Sequence, residues 1–506
     1  MTARGLRSLG SVSLAVLGTA ALGVAPVLTP GLSAALKTVA AEATLLDTEA
    51  WIMGGSGLPI PPADYMAAIT DRFIDPSSPK FDGQQIFPVT AQNPLFTPEG
   101  LYPLTGVKTL ELDPSLVQGV QILDQTIHQQ IADGNHLVVL GYSQSATINS
   151  LEMKNLLALP ADQRPTADQL SFVMLGDPSN PDGGLLSRFD ITSLPGVGAK
   201  LPELTIPSLG VTFSGATPAD GPWDTAIYTQ EYDGFAGFPK YPLNFLADLN
   251  AFLGIMFVHG TYPSLTDAQL ATAELLPGSK DLPFELPDGT TTAADATNYY
   301  MIPTENLPLL DLLRGNPFGN AIADLLQPDL KVLVNLGYGS IDDGWDQGPA
   351  NVATPFGFMP SFGTGAGEIN PTDLVNALSS GAEKGFNDFL ADLHSMSTAS
   401  ADVGQHAAAV ALPSLTEIAN TLASVASTGY STLLPTADIA NALFTTLPTY
   451  TFDLFSQYLA AGDLVNALGM PMAAMTGLTT MAAGFEVMVL QSAASTISAE
   501  LSGLFG

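Results

Sequence analysis

The sequence predicts an α/β fold with a mainly parallel central sheet, followed by a C-terminal helical extension. Between about residues 48 and 300, short and continuously apolar segments alternate with segments of helical spacing. Such buried strands are typical of parallel sheets that helices cover on both faces. From about residue 366 the composition shifts to Ala, Leu, Ser and Thr with acidic side chains, and no Lys or Arg follows Lys384.

The predicted strands and helices follow one another in order. The apolar segments that we interpret as strands are 50–53, 136–140, 171–176 and 225–229. Helical spacing of apolar residues covers 114–132 and 146–159. The segment 177–222 is rich in Pro, Gly and Ser and has little periodicity. We expect it to run over the sheet and to frame a substrate entrance.

A short pattern recurs in the C-terminal region. An acidic residue precedes apolar residues at helical spacing in four places, which begin at Asp373, Glu417, Asp438 and Asp463. Because a carboxylate is favourable at the positive end of a helix, we expect several related helices that pack as a bundle or across the first domain. The uncharged stretch 464–485 is long enough to cross a bilayer, but its Pro and Gly residues favour a buried or surface-lying helix.

The N-terminal segment 1–41 has the three parts of a secretory signal. Arg4 and Arg7 lie at its start, an apolar run covers about 9–28, and small residues follow. We therefore expect a signal peptide that directs the protein to a secreted or cell-envelope location. An uncleaved N-terminal anchor is the alternative, because the apolar run is nearly long enough to span a membrane.

The composition excludes several classes of function. The 506 residues carry 15 basic and 49 acidic side chains, a net charge of −34, so no nucleic-acid partner is expected. The chain has no cysteine, which excludes disulfides and thiolate catalysis. No two of the five histidines are three or four residues apart, and we expect neither a metal site nor a cofactor.

The most informative stretch is Gly-Tyr-Ser-Gln-Ser at 141–145, between a predicted strand and a predicted helix. A serine there sits on a tight turn that presents its hydroxyl above the carboxyl edge of the sheet. We interpret Ser143 as a nucleophile, which needs a base within hydrogen-bond reach. The backbone N–H of Gln144 is then aimed at the oxyanion that forms on attack. We assign the second oxyanion donor to Ser56 in the Gly-rich turn 54–57.

The candidate acid and base follow the chain order serine, acid, histidine. His259 is the candidate base, because the glycine after it suits a loop above the sheet edge. The other histidines precede the serine or lie in the helical tail; they are His128, His136, His394 and His406. Asp233 lies just past a predicted strand and is the candidate acid that orients the imidazole. Asp177 and Glu231 are the alternatives, although the residues around Asp177 are typical of a turn.

Several segments together resemble the PE-PPE-domain serine hydrolases of actinobacteria, and the 141–146 turn also resembles that of cutinases. The matching segments, in chain order, are 53–59, 141–146, 176–184, 232–236, 325–330 and 336–339. The resemblance covers about residues 48–365. It implies an α/β-hydrolase fold and a triad of Ser143, Asp233 and His259 that acts on ester bonds of acyl or lipid-like substrates. Ser145 replaces the glycine of cutinases and narrows the turn.

The sequence and the resemblance together define an expected organisation and function. We expect an export segment or anchor at 1–41, a catalytic domain at 48–365 and an acidic helical region at 366–506. No PE or PPE helical module precedes the catalytic domain in this sequence, so export through that module's system is not implied.

The leading hypothesis is an exported serine esterase or lipase-like hydrolase that acts on an acyl ester or lipid through an acyl-enzyme. A cell-envelope acyltransferase that uses the same triad to acylate a sugar or lipid alcohol is the first alternative. A non-catalytic surface protein is the second. Each of these hypotheses is compatible with a membrane or cell-envelope contact.

Overall fold

A seven-stranded, mainly parallel sheet forms the centre of the computed structural model. The structure describes residues 48–192, 201, 203–365, 367–398 and 415–503. The expected export segment at 1–41 and His406 lie outside these residues. From Asp47 onward the chain forms one compact unit.

The strands are short, and most of them lie in the N-terminal half of the described chain. They are β1 Thr48–Ile52, β2 Ala91–Pro94, β3 His136–Tyr142, β4 Leu170–Leu175, β5 Thr205–Ile206, β6 Val211–Thr212, β7 Thr225–Gln230, β8 Glu274–Leu275, β9 Phe284–Glu285, β10 Thr291–Thr292 and β11 Thr297–Ile302. The central sheet has the order β2-β1-β3-β4-β7-β11-β8. Its pairs are parallel except that of β8 with β11.

Helices and strands are interspersed up to β11, and only helices follow it in the described chain. They are α1 Ala63–Ile69, α2 Leu112–Ala132, α3 Gln144–Ala158, α4 Leu185–Arg188, α5 Phe245–Phe257, α6 Asp267–Leu270, α7 Pro308–Asp311, α8 Pro317–Asn335, α9 Pro371–Thr398, α10 Leu415–Ser431, α11 Leu433–Asn441, α12 Leu447–Ala460 and α13 Leu464–Gly503. A 3₁₀ turn, His259–Ser264, follows α5.

The sheet is buried on both faces, as parallel sheets require. Val139 of β3 packs with α2 and α3 residues on one face, and the next residue, Leu140, packs with Phe73 and Tyr262 on the other. Successive strand residues point to opposite faces, so a continuously apolar run fills two cores at once. This arrangement is an α/β-hydrolase fold with a C-terminal helical extension.

Most strand and helix predictions agree with the structure to within two residues. The sequence analysis missed β11, although all six of its residues are buried. Its sequence, Thr-Asn-Tyr-Tyr-Met-Ile, begins with two polar side chains, and its apolar run begins with two tyrosines, whose hydroxyls weaken the hydrophobic signal. The Asn298 amide is nevertheless satisfied, because it donates to Asp281 at 2.7 Å.

The C-terminal helices α9 to α13 pack against the described residues between 48 and 365, which have the α/β-hydrolase fold and are called the hydrolase portion below. Helix α9 lies along α8, while α10, α12 and α5 all contact α13. One buried cluster joins Phe252 of α5 with Leu454 of α12 and Ala473 of α13. The described residues of the C-terminal region therefore share a core with the hydrolase portion.

The recurring acids begin helices in three of the four predicted places. Asp373 and Glu417 lie in the first turns of α9 and α10, and Asp463 directly precedes α13. The prediction for Asp438 is wrong, because α11 begins five residues earlier, at Leu433. The Asp438 carboxylate instead accepts a 2.6 Å hydrogen bond from the hydroxyl of Tyr102 in the hydrolase portion.

Helix α13 is the one helix of the described chain whose length and composition would let it cross a membrane, from Leu464 to Ser502. A third (33%) of its most apolar window is buried inside the structure. The helix packs on α5 and α12. One side of this helix is therefore covered by the protein, and Pro471 falls within it.

Candidate active site

Ser143 lies on a strained turn between β3 and α3. Its backbone has φ 60° and ψ −119°, a conformation that residues other than glycine rarely adopt. Gly141 permits the turn, because a Cβ there would lie 2.4 Å from the Ser145 carbonyl oxygen. The Ser145 hydroxyl accepts from the Tyr142 N–H at 2.8 Å, so the serine that replaces a cutinase glycine is bonded within the turn.

His259 connects Ser143 to Asp233. The Nε2 atom of His259 lies 2.8 Å from the Ser143 Oγ, and Nδ1 lies 2.9 and 2.8 Å from the two Asp233 oxygens. Because a carboxylate only accepts hydrogen bonds, the arrangement favours a proton on Nδ1 and leaves Nε2 to accept from the serine hydroxyl. The structure therefore brings the three predicted side chains together.

Asp233 has further donors that hold its carboxylate in place. It is fully buried, directly after Tyr232, whose φ is 67°. The Phe235 N–H donates to Oδ1 at 3.1 Å, and the Tyr262 hydroxyl donates to Oδ2 at 2.9 Å. Burial raises the pKa of Tyr262 well above its usual value, so its phenol keeps the proton that it donates.

Aromatic side chains fix the imidazole plane of His259. The Tyr142 ring stacks on it at 5.3 Å between centroids, and Phe235 presents an edge at 4.8 Å. The Tyr142 hydroxyl also donates to the His259 carbonyl oxygen at 2.5 Å. Burial raises the pKa of Tyr142 well above its usual value, which keeps this donor protonated. The histidine is thus held by both ring and backbone.

Gly176 leaves room for the imidazole. It directly follows β4, the strand next to β3, and has a φ of +55°. A Cβ there would lie 3.0 Å from His259 Cε1 and 3.1 Å from Asp233 Oδ2. A side chain at this position would compress the contact between the acid and the base.

The predicted oxyanion donors lie next to each other. Gln144 is the first residue of α3, where backbone N–H groups have no acceptor within the helix. The Ser56 hydroxyl donates to the Gln144 side-chain oxygen at 3.2 Å, and the Gln144 amide donates to the Gly100 carbonyl at 2.8 Å. These bonds fix the Gly-rich turn beside the serine.

The alternative acids face other partners. The Asp177 carboxylate accepts from the Ser179 N–H at 2.9 Å and the Thr217 hydroxyl at 2.7 Å, which is the turn that its sequence context predicts. Burial raises the pKa of Asp177 to about 6. The Glu231 carboxylate accepts from the backbone N–H groups of Thr304 and Gly344.

Three other histidines are described, and none of them contacts the triad residues in the hydrogen bonds given below. The Nδ1 atoms of His128 and His394 lie 2.9 and 2.7 Å from backbone carbonyls of their own helices. His136 begins β3, at the opposite end of that strand from Ser143. Among the described residues, no group of three or more His, Asp or Glu side chains could hold a metal ion.

A largely apolar pocket opens on the serine. Ser143, Gln144 and Ser56 line it together with residues of the 177–222 segment, such as Pro178 and Leu186. The predicted excursion over the sheet therefore forms part of the pocket wall.

Sequence reasoning missed the side chains that support the triad. Tyr142 and Tyr262 flank the residues that it selected, and Phe235 follows Asp233 by two positions. Their roles depend on ring orientation, which no sequence pattern reports. The sequence also does not indicate what the C-terminal region contributes to the site. In the structure, Phe485 of α13 lies in the pocket wall.

Sequence comparisons relate this chain to known proteins. The sequence model of the PE-PPE domain matches residues 88–339. The uncharacterized PPE family protein PPE28 of Mycobacterium tuberculosis is 42% identical over 494 residues, which cover 92% of this chain and 69% of that protein. Esterase PE16 of the same organism is 43% identical over 63% of this chain, and the match covers 56% of the esterase.

More distant matches are shorter. The diacyltrehalose acyltransferase Chp2 of Mycobacterium tuberculosis is 27% identical over 48% of this chain and 61% of its own length. A cutinase-like protein from Cryptococcus sp. is 14% identical, with a TM-score of 0.23, over 38% of this chain and 81% of that structure. The family follows from two of these observations, the long match to PPE28 and the match to the PE-PPE domain model. This chain belongs to the PE-PPE domain family.

Proposed function

We propose that the protein is a serine esterase that acts on acyl or lipid-like esters. One observation carries the proposal: the His259 imidazole lies within hydrogen-bond distance of both the Ser143 hydroxyl and the Asp233 carboxylate. A serine hydroxyl is a weak nucleophile unless a base removes its proton as it attacks, and this contact provides the base.

The proposed reaction proceeds through an acyl-enzyme. The Ser143 Oγ attacks the ester carbonyl carbon while His259 Nε2 takes the hydroxyl proton. The same proton then passes from Nε2 to the leaving alcohol as the ester bond breaks. Water repeats these steps to release the acid and restore the serine. Asp233 stabilises the imidazolium that forms in each half-reaction.

The negative charge on the carbonyl oxygen needs donors, and two are close to the serine. The Gln144 N–H at the start of α3 is one of them, and the helix dipole adds to its effect. The Ser56 hydroxyl has a single proton, which it donates to the Gln144 side chain in the absence of substrate. Rotation of this hydroxyl toward the substrate oxygen would supply the second donor.

The relatives support an ester substrate. One relative is named an esterase and another a diacyltrehalose acyltransferase, so both names describe acyl chemistry. No charged side chain is among the residues that line the described pocket. Such a lining favours an uncharged acyl group over a polar or ionic one.

Active-site labelling tests the proposal directly. A fluorophosphonate probe should label the wild-type protein and fail to label the Ser143→Ala variant. Ser145→Ala is the matched control and should still be labelled. The Ser145 hydroxyl is hydrogen-bonded to the Tyr142 backbone and should not react with the probe. Absence of labelling in the wild type would favour the non-catalytic surface protein.

Acyl transfer is the second candidate, and the enclosed apolar pocket favours it. A site that excludes water lets an alcohol compete for the acyl-enzyme. Incubation of an acyl ester with and without a trehalose-like acceptor separates the two reactions. New ester that forms faster than free acid would replace the hydrolase assignment with an acyltransferase.

We also propose that the protein acts at the cell envelope after export. The basic, apolar and small-residue parts of segment 1–41 support this location. Fractionation of expressing cells, followed by N-terminal sequencing of the mature protein, tests both export and cleavage. Recovery of the uncleaved protein from the cytosolic fraction would exclude the proposed location.

A further inference from the structure

The pocket that opens on Ser143 has two walls from distant parts of the chain. The hydrolase portion supplies one wall. The C-terminal helices supply the other, and the residues of α13 in it are Leu478, Met481, Ala482 and Phe485. Ser143 itself is only 8% exposed, so these walls together enclose the nucleophile.

Close contacts on its glycine face hold α13 against the hydrolase portion. A Cβ on Gly484 would lie 2.3 Å from the Phe252 ring of α5, and a Cβ on Gly477 would lie 2.9 Å from Pro242. The helix therefore approaches the hydrolase portion more closely than any larger residue at these positions would permit. Its pocket-facing residues are fixed by this contact.

A second contact ties α11, which precedes the pocket-lining residues Leu443 and Leu447, to the hydrolase portion. The Tyr102 hydroxyl donates to the Asp438 carboxylate at 2.6 Å, and the Ser208 hydroxyl donates to the Asp438 carbonyl at 2.8 Å. Tyr102 also lines the pocket. The hydrogen bonds thus join the two walls at the pocket itself.

A single aromatic side chain, Phe235, lies between helix α13 and the imidazole of His259. Phe485 stacks on Phe235 with 6.3 Å between the ring centroids, and Phe235 contacts the His259 ring by its edge. A chain that extends from Ser143 along this wall would therefore meet α13 a short distance from the ester bond.

We propose that α13 forms the far wall of the acyl-chain subsite and that Ala482, with Leu478 and Met481, determines which acyl chain lengths are accepted. The inference rests on the proposed esterase function and adds to it a substrate class, esters of long aliphatic acids. Each methylene buried against this wall strengthens binding about four-fold, since its transfer from water contributes about 0.8 kcal/mol.

A matched pair of substitutions tests the wall. Ala482→Trp fills the pocket, whereas Ala483→Trp places the same side chain at an exposed position of the same helix that does not line the pocket. We expect Ala482→Trp to lower kcat/KM for p-nitrophenyl palmitate at least about ten-fold relative to p-nitrophenyl butyrate. Ala483→Trp should leave the ratio of kcat/KM for the palmitate ester to kcat/KM for the butyrate ester unchanged.

Thermal melting shows whether the Ala482→Trp variant folds. If it does not fold, Ala482→Leu provides the same test with a smaller side chain. We expect Ala482→Leu to lower the palmitate-to-butyrate ratio of kcat/KM by a smaller factor than Ala482→Trp does. An unchanged ratio in folded Ala482 variants that the fluorophosphonate probe still labels would overturn the proposed wall and leave the esterase intact. Wild-type protein that neither reacts with the probe nor hydrolyses butyrate would remove the esterase assignment itself.

Discussion

The hydrolase portion and the C-terminal helices position their functional residues by different means. In the hydrolase portion, special backbone turns aim individual side chains, as at Ser143 with φ 60° and Tyr232 with φ 67°. In α13, glycines at 477 and 484 let a whole helix face approach its partner. The turn that presents the nucleophile is therefore specified by residues close to it in the sequence, whereas the approach of His259 to Ser143 and the shape of the pocket depend on contacts between residues more than 100 positions apart.

The largest expected effect distinguishes the two candidate acids of the hydrolase portion. Asp233→Asn should lower kcat for a short p-nitrophenyl ester about 10⁴-fold, because an amide favours the wrong tautomer of His259. In Asp177→Asn the amide oxygen can still accept from the Ser179 N–H, and the amide nitrogen can donate to the Thr217 hydroxyl oxygen, so this variant should retain most of the activity. Steady-state kinetics of both variants measures the contrast. Full activity of Asp233→Asn together with loss in Asp177→Asn would reverse the assignment.

The same contrast explains what the sequence could predict. The turn at Ser143 has a local signature, and chain order narrows the choice of His259 and Asp233. The place of Phe485 in the pocket wall depends on contacts between residues more than 200 positions apart, as with Phe235. No periodicity or spacing reports such a contact, because helical spacing predicts that a face is buried but not which partner buries it.

Asp438 illustrates the limit of pattern reasoning within the C-terminal region. The residues that follow it closely match those that follow Asp463, and the shared pattern predicts that each acid begins a helix. The Asp463 carboxylate does accept from the Asn466 N–H at 3.0 Å, at the start of α13. Asp438 accepts from Tyr102 of the hydrolase portion instead, since tertiary contacts outweigh the local preference.

A glycine pair tests whether α13 is packed in solution as described. Gly484→Ala places a Cβ 2.3 Å from Phe252, which forces a shift and should destabilise the protein by about 1–3 kcal/mol. Gly429→Ala makes the same change in α10, where a Cβ meets nothing within 4 Å, and should stabilise that helix by up to about 1 kcal/mol. Thermal unfolding measures both. Equal melting temperatures for the two variants would contradict the packing of α13 on α5.

The smallest expected effect is a pH dependence that differs between the two regions. Burial raises the pKa of Glu99 in the hydrolase portion to about 8, above its ordinary 4.5. The folded state then holds a proton that the unfolded state releases, so stability is full below pH 4.5 and falls as pH rises toward 8. The melting temperature should therefore rise by several degrees from pH 8 to pH 5. In the C-terminal region, the Asn466 N–H lowers the pKa of half-buried Asp463, so the contribution of this carboxylate to stability is lost only in more acidic solution.

Substitution at Glu99 separates this effect from the general charge of the protein. Glu99→Gln resembles the protonated carboxyl and keeps an oxygen that accepts from the Thr97 hydroxyl. It should raise the melting temperature at pH 8 and flatten the profile between pH 5 and 8. Asp288→Asn is the control, because hydrogen bonds from Thr290 lower the pKa of this exposed acid, which then titrates below that window. A wild-type melting temperature that falls on acidification from pH 8 to 5 would contradict the assignment, since a buried carboxyl that stays protonated can only favour the folded state as the pH decreases.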